Sequence, residues 1–276
     1  MSFTLNCKGK LLVIDRPIVM GIINTTPDSF YAGSRVNFLD QALSTAEKMI
    51  KEGATILDIG GQSTRPKSQQ LPPAEELGRV IPTVEAIHKN FPDQILSIDT
   101  FYSSVAKEAI AAGAAIVNDV SAGVMDEELL PTVAALQVPY VLMHMLGKPQ
   151  NMQQNPVYGN VTSDVYDFLN FRIAGLIKLG IHDIIVDVGF GFGKTANHNF
   201  QLLRELSYFK HLDKPIMVGL SRKATTYKTL GVTAAEALNG TTVMHTLALV
   251  NGADILRVHD VREAMEAVKL YTEYKK

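Results

Sequence analysis

The stretch IVMGIIN, Ile18 to Asn24, is an apolar run closed by an amide, and the chain repeats that figure. Counting onward, eight such runs end at Asn24, at Asp58 with the loop Gly60 to Pro66, at Asp99, at Asn118 with Asp119, at His144, at Asp187, at Ser221 to Lys223, and at Arg257 with His259. Ile184 to Val188 and Pro215 to Gly219 share the near-continuous apolarity of the first run, without clean polar alternation. Parallel strands buried on both faces read this way.

Between the runs lie helical stripes, clearest in Leu39, Ala42, Leu43, Ala46, Met49 and Ile50. Leu77 to Ile87 is equally regular, and further helices are predicted near Ser103 to Ala112, Glu127 to Leu136, Ser163 to Leu179, Phe200 to Phe209, Ala234 to Val250 and Val261 to Tyr274. Gly53, Gly113, Gly180 and Gly252 follow helices and suit helix stops. Eight βα units match a closed (β/α)8 TIM barrel, with an open doubly wound sheet as the alternative. Ahead of Ile18, Leu5 to Cys7, a Lys-Gly turn and Leu11 to Ile14 read as a β-hairpin at the bottom of the barrel. No linker or repeat divides the sequence, so residues 1–276 read as one domain.

Hydrophobic residues make up 46% and charged residues 20%, with a net charge of -2. That balance offers no basic excess to attract nucleic acid, so an anionic ligand must be met locally. No apolar run reaches the ~20 residues of a membrane span. Cys7 is the single cysteine, and the opening segment carries Lys8, Lys10, Asp15 and Arg16 where a signal peptide needs an apolar stretch; a cytoplasmic protein is expected.

In a barrel of this kind the loops after the strand ends form the active face. Asp99, Asn118 and Asp187 end three apolar strands there. Taken singly, each has a competing reading as an N-cap of the following helix. Three together favour a polar ligand, and carboxylates beside an amide suit a flat heterocycle that offers amino and ring N–H donors. Two like charges at close range would instead raise one pKa, and the sequence leaves both arrangements open. Arg65, Lys223, Arg257 and His259 add cationic or donor groups around Asn24, a set suited to an anion such as diphosphate; for Lys223 a surface ion pair competes.

The segment Gly189 to Thr195, GFGFGKT, lacks both nucleotide-loop spacings and reads as a flexible loop whose Phe192 covers a ring. His144, in Met-His-Met, reads as a structural histidine beside Met143, a pocket wall. The remaining histidines show no metal-ligand spacing.

Taken in order, MGIINTTPDSF (Met20 to Phe30), DIGGQSTRP (Asp58 to Pro66), SIDT (Ser97 to Thr100), VNDVS (Val117 to Ser121), LMHM (Leu142 to Met145), DVGFGFGKT (Asp187 to Thr195), GLSRK (Gly219 to Lys223) and RVHDV (Arg257 to Val261) resemble the dihydropteroate synthase family across almost the whole chain. The resemblance implies a pterin-binding barrel and a transferase of folate biosynthesis. Its substrates would be 6-hydroxymethyl-7,8-dihydropterin diphosphate and 4-aminobenzoate, both small molecules, and its products dihydropteroate and diphosphate.

Carried onto this chain, the family's pterin contacts fall on Asp99, Asn118, Asp187, Gly219 and Lys223, with Val120, Met143 and Phe192 as apolar walls and Arg257 flanking. The diphosphate site falls on Asn24, Arg65, Arg257 and His259, with Asn24 also the ligand of Mg²⁺. Asn24, Asp99, Asp187, Lys223, Arg257 and His259 would carry catalysis. The aminobenzoate pocket, also the sulfonamide target, falls on Thr64, Pro66, Phe192 and Ser221. Loops Thr25 to Val36 and Gln62 to Gln70 would close over the site, and the last helices would pair two copies into a homodimer. Ala32, Lys67, Val188 and Ala224 stand where the family usually has Asp, Gly, Pro and Ser. Rival readings are a pterin-binding methyltransferase domain and a non-catalytic paralogue; Arg65, the SRK segment and RVHD speak for the condensation.

Overall fold

The computed structural model describes residues 2–25, 35–62, 70–147, 152 and 156–276. It opens with an antiparallel pair, β1 (Phe3–Cys7) and β2 (Lys10–Ile14), in register from Phe3 opposite Ile14 to Cys7 opposite Lys10. Lys8 and Gly9 turn the chain with φ of 54° and 87°, the doubly positive conformation that matches hairpin twist.

Eight parallel strands follow: β3 (Ile18–Asn24), β4 (Ile56–Gly60), β5 (Ile95–Asp99), β6 (Ile116–Asp119), β7 (Tyr140–Met143), β8 (Ile184–Asp187), β9 (Ile216–Val218) and β10 (Ile255–Val258). Each pairs with the next, and β10 also pairs with β3, Ile255 opposite Ile18, so the sheet closes. That closure rules out the open doubly wound alternative.

Helices α1 (Arg35–Glu52), α2 (Pro73–Asn90), α3 (Ser103–Ala112), α4 (Leu129–Leu136), α5 (Val161–Lys178), α6 (Ala196–Arg204), α7 (Ala224–Leu230), α8 (Leu238–Val250) and α9 (Val261–Tyr274) lie between and after the strands. Two stretches differ from the helices predicted by periodicity. The one near Phe200 to Phe209 is divided, α6 ending at Arg204 and a 3-10 helix running Leu206–Leu212. The one from Ala234 begins at Leu238, and a separate α7 precedes it, stopped by Gly231 at φ 70°.

Strand alternation explains how the site is built. Leu57, Ile59, Leu96, Ile98, Val117, Leu142 and Val186 face outward, buried under the helices. Their neighbours Ile56, Ile95, Ile116, Val141, Ile185, Met217 and Ile255 face inward and pack with Leu5, Cys7, Leu12 and Ile14 of the hairpin, which plugs the lower end. Side chains alternate with period two along a strand, so the next inward positions are Asp58, Ser97 then Asp99, Asn118, Met143, Asp187, Gly219 and Arg257. The inward face is therefore apolar below and polar above. The outer face is apolar but for Asp119, whose buried carboxylate accepts the Tyr140 hydroxyl at 2.7 Å, and this hides the alternation in the sequence.

Candidate active site

At the upper end of the barrel, Asp99, Asn118, Val120, Met143, Asp187, Phe192, Met217, Gly219, Lys223 and Arg257 line one pocket. Nine of the ten are the residues on which the resemblance placed a pterin ring. Met217, from β9, is the tenth and sits one inward step below Gly219.

None of the three polar strand ends caps a helix. The N-cap of α3 is Tyr102, that of α4 is Glu128 and that of α6 is Thr195, which accepts from the His198 N–H. Their side chains serve the barrel interior instead. Asp187 Oδ1 accepts the Gly189 N–H at 2.7 Å. Asn118 Nδ2 donates to Asp58 Oδ2 at 2.9 Å, which leaves the amide oxygen of Asn118 as its acceptor for a ligand.

Arg257 crosses the pocket. Its Nε donates to Asp58 Oδ2 at 2.6 Å and its Nη2 donates to Asp99 Oδ2 at 2.6 Å, while Nη2 also lies in ion-pair contact with Asp58 Oδ2 at 2.6 Å. Burial opposes the Arg257 charge, yet Asp58 and Asp99 outweigh it and raise its pKa. For Asp99 burial dominates and pushes the carboxyl up to about 7, with Arg257 pulling the other way and Asp58 adding to the rise. Lys223 donates to the Phe190 carbonyl at 2.5 Å and lies 4.8 Å above the Phe192 ring centroid. Desolvation lowers its ammonium to about 8 against the pull of Asp187, while burial raises Asp187.

The loop after β8, read from the sequence as flexible, is held at several points by its neighbours. Gly189, Gly191 and Gly193 all have positive φ, and a Cβ at Gly189 would lie 1.9 Å from the His144 carbonyl oxygen, so only glycine admits the close approach to the end of β7. Lys194 is buried beneath the loop. Its ammonium donates to the carbonyls of Gly189 at 2.9 Å and Phe192 at 3.0 Å and contacts His144 Nδ1 at 2.9 Å. Burial, then the Lys194 charge, lowers His144 to about 3, so a neutral imidazole accepts at Nδ1. His144 is structural, as its apolar setting suggested. The clip fixes the backbone that carries Phe192 and the Phe190 carbonyl.

At the rim, Ser221 Oγ accepts the His259 N–H at 3.2 Å and meets His259 Nδ1 at 3.0 Å. This contact joins a residue assigned to the anion with one assigned to the amine. The loop bearing Ser221 is held by Arg222, whose Nε and Nη2 form a two-point ion pair with Asp260 at 2.8 and 2.9 Å. Asn24 ends β3, partly exposed at the same rim. Thr64, Arg65, Pro66, Lys67 and Ala32 lie outside the described residues.

Asp58 and Lys194 are the members that residue types alone did not single out. The signal for Asp58 was its spacing: it follows inward Ile56 by two, as Asn118 follows Ile116 and Asp187 follows Ile185. Lys194 had no comparable mark.

A family model described as pterin binding enzyme matches residues 20–259. A curated dihydropteroate synthase of Haemophilus influenzae is 41% identical over 269 residues, covering 97% of this chain and 97% of the relative. The chain belongs to the dihydropteroate synthase family. Among the family's solved structures, the Xanthomonas albilineans synthase with 4-aminobenzoic acid superposes with a TM-score of 0.93 at 40% identity, covering 100% of this chain and 99% of that one. The same organism's synthase in complex with 7,8-dihydropteroate gives 0.89 at 38%, covering 99% of each chain. A Yersinia pestis synthase with a sulfonamide drug gives 0.93 at 41%, again covering 99% of each.

Proposed function

We propose that this chain condenses 6-hydroxymethyl-7,8-dihydropterin diphosphate with 4-aminobenzoate to give 7,8-dihydropteroate and diphosphate, the reaction of the family to which it belongs. One observation carries this reading: a single pocket in which Asp99, the Asn118 oxygen, Asp187 and Lys223 stand around the apolar walls Val120, Met143 and Phe192. The carboxylates and the amide oxygen match the N–H donors of a pterin, and Lys223 supplies a donor for a ring acceptor.

In the reaction the bond from the pterin methylene to oxygen breaks and diphosphate leaves with the electron pair. The carboxylates of Asp99 and Asp187 stabilise the positive charge that develops on the ring, while Arg257 and His259 receive the departing anion. The amine nitrogen then bonds to the methylene and its proton passes to solvent or the anion. An aromatic amine needs no strong base, so holding the two substrates in line supplies much of the rate.

Asn24 is the side chain that would hold Mg²⁺, through its amide oxygen. Oxygen donors suit that ion, which typically takes one or two protein ligands and completes its shell with phosphate oxygens and water. When bound, it neutralises charge on the diphosphate. Among the described residues no three His, Cys, Asp or Glu side chains gather as a metal-binding group.

We also place the protein in the cytoplasm as a homodimer, and take the aminobenzoate site around Thr64, Pro66, Phe192 and Ser221 as its sulfonamide target. No helix among the described residues is long and apolar enough to cross a membrane. The deciding assay mixes both substrates with Mg²⁺ and follows diphosphate release and dihydropteroate formation. Product from the unaltered chain and a loss of ~10-fold or more in Arg257→Ala are expected. Tight pterin binding without diphosphate release would instead favour a non-catalytic paralogue.

A further inference from the structure

Asp58 lies below the pocket rather than in its lining, fully buried, and its Oδ2 accepts from two N–H donors, Nε of Arg257 and Nδ2 of Asn118, with Nη2 of Arg257 in ion-pair contact beside them. Its Oδ1 is buried with no hydrogen-bond partner among the described residues. Arg257 is thus shared between two carboxylates, with Nη2 bridging Asp58 and Asp99. Nη1 takes no protein acceptor among the described residues.

The open volume of the pocket is about 20 Å³, room for a single water, whereas ligand pockets run to about 300–1,000 Å³. Arg257 is among the groups that fill this space, and a ring that bonds to Asp99 Oδ2 displaces its guanidinium group from that oxygen. Burying an arginine with no partner is costly, so its exit needs a carboxylate that does not let go. Asp58 holds Nε, the guanidinium atom nearest the stem, and that bond can persist while Nη2 turns away.

We propose that Asp58 is a positioning residue on which Arg257 pivots, handing the guanidinium from Asp99 to the anion as the pterin takes Asp99. The inference rests on the pterin diphosphate reading of the site. It makes the two halves of the substrate cooperate: an anion that engages Arg257 removes a competitor for Asp99, and a pterin on Asp99 releases Arg257 toward the anion. Without the Asp58 charge, Arg257 has Asp99 as the one carboxylate it is hydrogen-bonded to. Competition against the pterin then strengthens, while the anion loses a rival for the arginine.

Calorimetric titration with 6-hydroxymethylpterin, and separately with inorganic diphosphate and Mg²⁺, tests the pivot. Asp58→Asn should bind the pterin about fivefold or more weaker while diphosphate binds no weaker than to the unaltered protein. A general packing defect would weaken both together, and that result, or an unchanged pterin affinity, overturns the proposal. Should Asp58→Asn fail to fold, the unaltered protein decides: saturating diphosphate should tighten pterin binding about fivefold or more, and coupling under about twofold overturns the pivot. Failure of the functional reading looks different, since the unaltered protein would then bind neither probe, and the pivot falls with it.

Discussion

Asp99 combines two demands that pull in opposite directions. To accept the N–H groups of a pterin it must be ionised, yet burial holds its carboxyl up to about 7. Below that pH the proton turns one oxygen into a donor facing other donors. The specificity constant for the pterin diphosphate should therefore climb as pH rises from about 6 to 8 and level off above, and Asp99→Asn should lower and flatten the profile. Stability follows the other sign. A carboxyl whose folded pKa is raised favours the fold most below the ordinary carboxylate range, and that contribution is lost as pH rises through about 7. Asp99→Asn should accordingly gain more melting temperature relative to the unaltered protein at pH 8 than at pH 5. A flat wild-type pH profile between 6 and 8 would contradict the assignment. At this scale the sequence disclosed Asp99, Asn118 and Asp187 because each ends an apolar run, whereas Asp58 looked like one more terminus. Its two donors come from residues 60 and 199 positions away, and such convergence is set by barrel closure rather than by any local pattern.

Elements carry the site by fixing where those termini stop. The loop between β8 and α6 is the sharpest case, because glycine at 189 lets it touch the end of β7 and Lys194 ties the contact from below. Replacing that ammonium with an apolar chain leaves buried acceptors unmet, each costing ~1–3 kcal/mol. Lys194→Met should melt several degrees lower and show a raised Michaelis constant for the pterin diphosphate, since Phe192 and the Phe190 carbonyl lose their support; unchanged values for both would sink the clip. The hairpin is the control at the opposite end of the barrel. Leu12→Ala removes a buried side chain there at a cost of ~2–4 kcal/mol, and it should lower the melting temperature while leaving both Michaelis constants unchanged. Strand order and hairpin were legible from apolar runs and turn residues. The separate α7 was not, because seven residues closed by Gly231 are too few to show a helical stripe.

Across the whole molecule the polar strand ends gather at one mouth, and the helices that surround the barrel bury one face each. Helix α8 departs from that pattern at three positions, against two on α5 (Phe171 and Ile177) and two on α9 (Leu270 and Tyr274). Its inward side, with Met244, His245, Ala248 and Leu249, is buried, but Val243, Leu247 and Val250 form a second apolar stripe at i, i+4 and i+7 that stands 44–53% exposed. Leu230, at the end of α7, is 55% exposed as well. An apolar stripe on both sides of one helix suits a helix packed on both sides, and a second copy related by a two-fold axis covers such a stripe with itself. Sedimentation of the unaltered protein at micromolar concentration should therefore report a dimer, and Val243→Asp with Leu247→Asp should shift it to a monomer by placing charge in the seam. None of the ten residues lining the pocket lies on α8, so the monomeric variant should retain turnover within about twofold, provided its fold is intact by circular dichroism. A monomeric parent, or a doubly substituted chain that still sediments as a dimer, would remove α8 as the interface. Monomers with intact fold but no turnover would show instead that pairing supports the mouth of the barrel, by way of the α7 and α8 region that follows Ser221, Arg222 and Lys223.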